Sequence, residues 1–569
     1  MKLIAKILLL VSLAATLSLA QTVNHVIVVI QENRTPDNLF GSDLYNQTRR
    51  LPNAHLAPNG MGVCWDPVNK KDNSITLGKC PLDSDFDPDH QHPGWVTDWD
   101  HVPGQGTMDG FCNNGPLPTK CTNVPTCNGQ PCPQYTYVDN TPLSNGYGIV
   151  EPYYRIGIHY GFANYMFQTS QGPSFAAHQF LFSGTSAPDQ DPVTYFDWFT
   201  AENPRLNGVG GLAGCAAAPP GSIALELDPT VGDPEQPGYA PPEPAPFGSD
   251  AGYPCYDHPT LATLLDNYKI SWKYYAPQDA GPPGSDIWTA PNAIHDICYP
   301  IVNGQCTGTD WTANVVIPPV HGYSEPILWD LGDNNQNYCG LPAVSWVAPD
   351  GNWSDHPGSP GETGGPSWVA ALINGVGGLN NDLTPFPTQC YDVINGQKVP
   401  YWNDTVILVV WDDWGGFYDD VDPNPTGLHS GYSNNTGQQY VYGFRVPLLV
   451  VSAYAKPGYT SGPVNGATCP GNPYCHDFGS ILNFIEHTFG IPNPPGINGN
   501  VYPYADSLAM DANCPTCAAY SLADFFDTPF HSFTPIKGWY YNTDCFTTNT
   551  ANCFPAYPAP PDNDVIDND

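Results

Sequence analysis

The chain has 569 residues, and a hydrophobic content of 41% is ample for one large catalytic domain with decorations or for two domains. Seventeen basic residues stand against 55 acidic ones, a formal charge of −38, which argues against nucleic acid as a partner. Acidity on this scale reads as a solubility feature, so a polyanionic substrate needs a local positive patch supplied by a metal and histidines.

The chain opens with a basic stretch, Lys2 to Lys6, an apolar run from Ile7 to Leu19, and small residues at Ser18 and Ala20. That is the layout of a secretory leader, residues 1–20, cleaved after Ala20 to leave Gln21 at the N-terminus. The apolar run falls short of the roughly 20 residues of a spanning helix. No later run matches it, so the expectation is a secreted or periplasmic protein with no stable membrane anchor after cleavage. All 18 cysteines lie beyond Ala20, and an even number in an oxidising compartment predicts disulfides. Local bridges are expected between Cys64 and Cys80, Cys298 and Cys306, and Cys545 and Cys553. Cys514 and Cys517 form a lone Cys-x-x-Cys with no partner pair at zinc-finger spacing.

His25 to Ile30 (HVIVVI) and Thr405 to Trp411 (TVILVVW) read as buried parallel strands, and Val446 to Val451 is a third apolar run. Helices are expected over Pro259 to Tyr268, Gly365 to Val376 and Phe478 to Phe489. These elements predict an α/β fold. The Cys-rich stretch Asn113 to Pro133 and the Pro-rich stretch Pro219 to Pro254 read as insertions on it. The expected organisation is a catalytic domain over 21–510 and a Cys-rich extension over 511–569, ending in an acidic tail from Pro560.

Glu32 and Asn33 follow the first strand directly, and Asp412 and Asp413 follow the second. The C-terminal edge of an open α/β sheet is where ligands bind. Carboxylate and amide oxygens suit one hard divalent cation, Mg²⁺, Ca²⁺ or Mn²⁺, ahead of Zn²⁺. One such pair alone is more often a helix cap or a solvated loop; two pairs make that reading less attractive. Ser174, delivered by Gly172-Pro173 at a loop-to-helix junction, is a candidate nucleophile, although a serine there is usually just a cap. His90, His356 and His476 lie in polar loops, where each is either a donor to an anion or an ordinary surface histidine. His295 and His476 carry no spacing argument.

The run Val28 to Gly41 (VVIQENRTPDNLFG) resembles the opening motif of the phosphoesterase family that unites bacterial phospholipases C with a group of acid phosphatases, within the alkaline-phosphatase-like superfamily. Further matches follow in family order: Met108 to Phe111, Gly172-Pro173-Ser174, Ser271 to Tyr275, Ser354 to Pro357, Trp411 to Asp419, and Gly443 to Pro447. The resemblance implies a central, mostly parallel sheet flanked by helices, with disulfide-rich loop insertions. It implies that Glu32, Asn33, Asp412 and Asp413 bind one metal, that Ser174 is the nucleophile, and that His90 and His356 bind phosphate. The chain departs from the pattern at Asp412-Asp413 (Asp-Glu in many relatives), at Asp419-Asp420-Val421 (Asp-His-Val), and at Phe175 to His178, where relatives show a Pro-Asn-Arg-like run. The expected function is hydrolysis of phosphate esters, phospholipids among them, through a phosphoserine intermediate, of phospholipase C or acid phosphatase type. The alternative is a catalytically degenerate extracellular binding or structural protein on the same scaffold.

Overall fold

His25 to Gln31 form a strand with all seven residues buried, β1, the centre of an eight-stranded sheet. The other strands in chain order are β2 (Gly161–Ala163), β3 (Trp272–Tyr275), β4 (Val315–Val316), β5 (Val344–Val347), β6 (Thr405–Trp411), β7 (Leu448–Ser452) and β8 (Tyr459–Ser461). Their order across the sheet is β4-β3-β5-β1-β6-β7-β2-β8. The architecture comes from a computed structural model describing residues 23–41, 51, 53–99, 107–112, 117–142, 148–186, 198–200, 203–204, 213–216, 223–227, 251–252, 255–277, 284–318, 326–332, 339–358, 364–380, 383–387, 389–423, 442–462, 475–491, 521–527 and 529–538. The leader, most of the Pro-rich stretch, the acidic tail, and Cys514, Cys517, Cys545 and Cys553 lie outside the described residues.

The sheet is mixed and mostly parallel, as expected. β1 pairs parallel with β5 and, from His25↔Thr405 to Gln31↔Trp411, parallel with β6. The third apolar run becomes β7, which is antiparallel to both neighbours, β6 and β2. An apolar run reports burial on two faces but not direction. Here the chain re-enters the sheet at the end it left, Val410 pairing with Leu448, so no crossover is needed.

The register also shows how the faces are covered. Val28 lies beside Trp346 and Gln31 beside Trp411, three positions apart on β1, so the two tryptophans point to opposite faces. Trp346 donates to the Leu181 carbonyl and packs edge-on to Phe182, both on helix Ser174–Ser183. Trp411 packs edge-on to Tyr153 of helix Glu151–His159. Helices therefore cover both faces, which is why β1 and β6 read as continuous apolar runs. The expected helices form over Leu261–Tyr268, Gly365–Val376 and Phe478–Phe489. The last starts at Asp477, whose side chain accepts from the Ser480 amide at 2.9 Å, and ends at Gly490 with φ 67°.

Cys298 bridges Cys306 as expected. Cys64 does not bridge Cys80: it pairs with Cys127, and Cys80 pairs with Cys121. The reason is local. Cys64 sits in the hairpin Met61–Asp66/Lys71–Thr76, whereas Cys80 has already joined a separate ladder with Thr136–Val138. Further bridges join Cys112 to Cys132, Cys215 to Cys255 and Cys339 to Cys390. Residues flanking the Cys-rich stretch build a second aromatic cluster, Trp95, Trp99, Phe111, Tyr135 and Tyr137, packed with Trp414, Tyr418 and Phe444. Ile536 is tied to the body: Asn374 on helix Gly365–Val376 exchanges two hydrogen bonds with its backbone. Among the described residues no helix is long and apolar enough to cross a membrane.

Candidate active site

Because β1 and β6 run parallel and in register to Gln31↔Trp411, the next residues, Glu32 and Asp412, stand abreast at the C-terminal edge of the sheet. The Asp412 amide donates to the Gln31 carbonyl at 2.9 Å, carrying the ladder one step further. Asp412 Oδ1 accepts from the amides of Asn33 (3.0 Å) and Asp413 (2.7 Å), which fixes its carboxylate. Asn33 takes a left-handed φ of 57° to make that turn. After Asp413 the chain turns through Gly415 and Gly416, φ 59° and 68°. A Cβ at Gly415 would lie 2.4 Å from the Asn33 carbonyl, so the two strand-end loops approach as closely as glycine permits.

Ser174 is the first residue of the helix Ser174–Ser183, fully buried, with Pro173 in extended conformation before it. Its hydroxyl lies 3.3 Å from Glu32 Oε2 and 3.2 Å from Asp413 Oδ2. A hydroxyl has one hydrogen, so it cannot satisfy both carboxylates at once. The Phe175 amide, one of the free donors of the helix start, is taken by Asn203 Oδ1 at 2.9 Å.

His90 and His356 complete the wall. The His90 Nδ1 contacts the Pro88 carbonyl at 2.8 Å, and His356 Nδ1 the Pro357 carbonyl at 2.7 Å, so in each neutral ring the proton sits on Nδ1. His90 Nε2 then accepts from Asn33 Nδ2 at 3.0 Å, tying this histidine to the strand-end group. The two rings are 6.5 Å apart, with Trp414 edge-on to His90 and Trp288 beside His356. His92 belongs elsewhere: its Nδ1 contacts the Gln171 carbonyl at 2.7 Å.

The supports of this wall are buried polar groups. Arg34 Nε and Nη2 donate to the Asp355 carbonyl at 2.9 and 2.7 Å, clamping the loop that carries His356 onto the opening motif. Burial pushes the Arg34 pKa down to about 10 and that of Asp355 up to about 6. Asp355 Oδ2 accepts from Tyr153 and from Trp411 Nε1, at 2.8 and 3.0 Å. On the other side, Trp414 Nε1 donates to Asp98 Oδ2 at 3.2 Å, and burial drives the Asp98 carboxyl well above the usual carboxylate range. The helix His92–Trp99 thus buttresses the Asp412-Asp413 turn. Asp420 pairs with Arg445 Nη2 at 3.0 Å, next to the Arg445–Asp419 ion pair at 2.9 Å.

His178 lies on the same helix as Ser174, one turn later, and was missed by motif reading because it falls in a stretch that departs from the pattern. The i, i+4 spacing puts both side chains on one helix face, and that was the available signal. His178 Nε2 is 3.0 Å from Glu32 Oε1 and 3.7 Å from Asp412 Oδ2, all three residues being fully buried. Burial lowers the His178 pKa. His476 and His295 are engaged elsewhere, on Ser461 (3.1 Å) and on Asp296 (3.2 Å).

The donor set fits a divalent cation. Asp412 Oδ2 and Asn33 Oδ1 are buried oxygens with no hydrogen-bond partner, and Glu32, His178 and Asp412 bring ligand atoms within 4.8 Å of one another.

The sequence model of the Phosphoesterase family matches residues 23–378 and 389–492 of this chain, the Cys-rich and Pro-rich stretches included. The non-hemolytic phospholipase C of Burkholderia pseudomallei is 24% identical over 506 residues, 82% of this chain and 55% of that protein. The non-hemolytic phospholipase C of Pseudomonas aeruginosa is 26% identical over 210 residues, 33% of this chain and 25% of that protein. Phospholipase C A of Mycobacterium tuberculosis is 28% identical over 184 residues, 30% of this chain and 28% of that protein. The matched part spans about half the length of these relatives, or less.

Proposed function

The chain belongs to the phosphoesterase family, and on that premise we propose that it hydrolyses phosphate esters as a phospholipase C, with Ser174 as nucleophile and a divalent cation held by Glu32, Asn33, Asp412 and Asp413. The observation that carries this reading is the Ser174 hydroxyl wedged between two buried carboxylates at the C-terminal edge of the sheet. The similarity to phospholipases C supports the phospholipid substrate. The buried, unpartnered oxygens of Asn33 and Asp412 support the cation.

A bound divalent cation supplies the positive charge that lets a carboxylate-lined site accept a phosphate, and it favours the Ser174 alkoxide. Ser174 Oγ attacks phosphorus while the bond from phosphorus to the ester alcohol breaks, leaving the phosphoryl group on the serine. The proton of Ser174 has carboxylate acceptors within reach in Glu32 Oε2 and Asp413 Oδ2. His90 Nε2 is held as an acceptor by Asn33, so His356, as imidazolium, is assigned to protonate the leaving alkoxide from Nε2. Water then attacks phosphorus, and Ser174 Oγ leaves and recovers its proton. The helix starting at Ser174 adds the positive end of its dipole.

The test is turnover by chelator-stripped and metal-reloaded protein on phosphatidylcholine, an aryl phosphate monoester and an aryl sulfate, from acid to neutral pH. Phosphatidylcholine cleavage that disappears on stripping and returns with a divalent ion is expected. Silence on both phosphate esters with every metal would favour the degenerate scaffold, and turnover confined to the monoester would replace the phospholipase reading with an acid phosphatase.

A further inference from the structure

We propose that His178 is a nitrogen ligand of the bound cation, through Nε2, and that it turns an otherwise all-oxygen site towards Zn²⁺ and away from Mg²⁺ and Ca²⁺. The inference rests on the metal reading given above and specifies the donor set of that same site.

On the far side of the ring, His178 Nδ1 lies 3.3 Å from the Tyr274 hydroxyl. Tyr274 donates its hydroxyl hydrogen to the Trp288 carbonyl. A phenol has one hydrogen, so towards His178 the Tyr274 oxygen can only accept. The group facing Nδ1 is therefore an acceptor, and the ring proton belongs on Nδ1. The Nε2 lone pair then points at two carboxylates, Glu32 Oε1 at 3.0 Å and Asp412 Oδ2 at 3.7 Å. Asp412 Oδ2 has no hydrogen-bond partner, while its sister oxygen is saturated by two amides.

Three lone-pair atoms converging in a fully buried space repel one another unless a cation lies among them. The arrangement of an imidazole whose distal nitrogen is held by a hydrogen-bonded acceptor is how metal-binding histidines are oriented. Glu32 faces both ways in this scheme, one oxygen to Ser174 and the other to His178. A single helix turn thereby carries the nucleophile at its start and a metal ligand four residues on. The nitrogen donor matters for selectivity: carboxylate and amide oxygens alone suit hard ions, whereas imidazole suits zinc and its neighbours.

The full chain, stripped with chelator and reloaded with Mn²⁺ alone, should show hyperfine coupling to one imidazole nitrogen in pulsed electron paramagnetic resonance. In His178→Gln the coupling should vanish while Mn²⁺ still binds, and the preference for Zn²⁺ over Mg²⁺ should fall by on the order of 10–100-fold. Mn²⁺ bound without nitrogen coupling, or coupling that survives in His178→Gln, overturns the assignment and leaves the metal site standing. Wild-type protein that binds no Mn²⁺ removes both. Should His178→Gln fail to fold, His90→Gln and His356→Gln decide: both must keep the coupling, and its loss in either places the nitrogen elsewhere and overturns the proposal.

Discussion

Ser174, His90 and His356 are each set by one or two hydrogen bonds, and their consequences separate in kinetics. His356→Gln should lower kcat by about 10²–10⁴-fold with a smaller change in KM, and should remove the alkaline limb of the pH–rate profile, because its imidazolium is the assigned acid. An unchanged alkaline limb in that variant would take the role away from His356. His90→Gln should instead weaken cation binding, read as a higher metal concentration for half-maximal activity, since the ring holds the proposed ligand Asn33 rather than a transferable proton. Much of this residue pattern was legible in sequence, because Glu32-Asn33 and Asp412-Asp413 sit where strands end and the register makes them neighbours. His90 came from the family resemblance alone, since spacing does not separate it from His92. Two histidines two positions apart differ only in which backbone carbonyl each ring meets, Pro88 or Gln171, and that depends on the fold of the whole loop. His178 was hidden for a different reason: its meaning lies in helical spacing to Ser174, not in a linear motif.

At the scale of elements, β1 and β6 were readable because strands buried on both faces admit only apolar, β-branched residues. The direction of β7 and the Cys64–Cys127 pairing were not, since both depend on where a connection returns. The opposite edge of the sheet carries a charge network with a pH consequence. His25, at the start of β1, places Nε2 2.9 Å from Asp392 of the hairpin Tyr391–Pro400, and Asp404, just before β6, accepts from Asn24 at 2.8 Å. Burial raises the Asp404 pKa to about 7. His25 is also raised, the Asp392 and Pro342 contacts outweighing its desolvation, and Asp392 is lowered chiefly by its hydrogen bond to His25. The raised groups give stability that is complete below their unfolded values and is lost as pH climbs through their folded ones. Asp392 gives stability that is lost as pH falls below the carboxylate range. Tm should therefore peak at mildly acidic pH and decline from roughly pH 5 to pH 8. Asp404→Asn should flatten that decline, and an equally steep decline in the variant would show that the network does not cause it.

For the molecule as a whole, the Cys-rich segment links stability to function. The Cys64–Cys127, Cys80–Cys121 and Cys112–Cys132 bridges close loops of 63, 41 and 20 residues around the aromatic cluster that supports Trp414. Removing Cys64 and Cys127 together, as serines, should cost about 2–5 kcal/mol by denaturant unfolding. It should also lower activity before global unfolding, because Asp98 and Gln134 hold the turn that carries Asp413. Full activity in a destabilised double variant would make the segment a mere staple. We propose that the chain is exported, which would account for these bridges, and that the secreted form begins at Gln21, which N-terminal sequencing checks.

The central claim is that Ser174 takes the phosphoryl group. The most direct measurement is the mass of the Ser174-containing peptide after rapid acid quench of metal-loaded protein during turnover of phosphatidylcholine or an aryl phosphate. A phosphocholine or phosphoryl adduct is expected on Ser174, absent in Ser174→Ala, whose turnover falls by on the order of 10³-fold or more. An unmodified Ser174 in wild-type protein, together with wild-type turnover by Ser174→Ala, would contradict it.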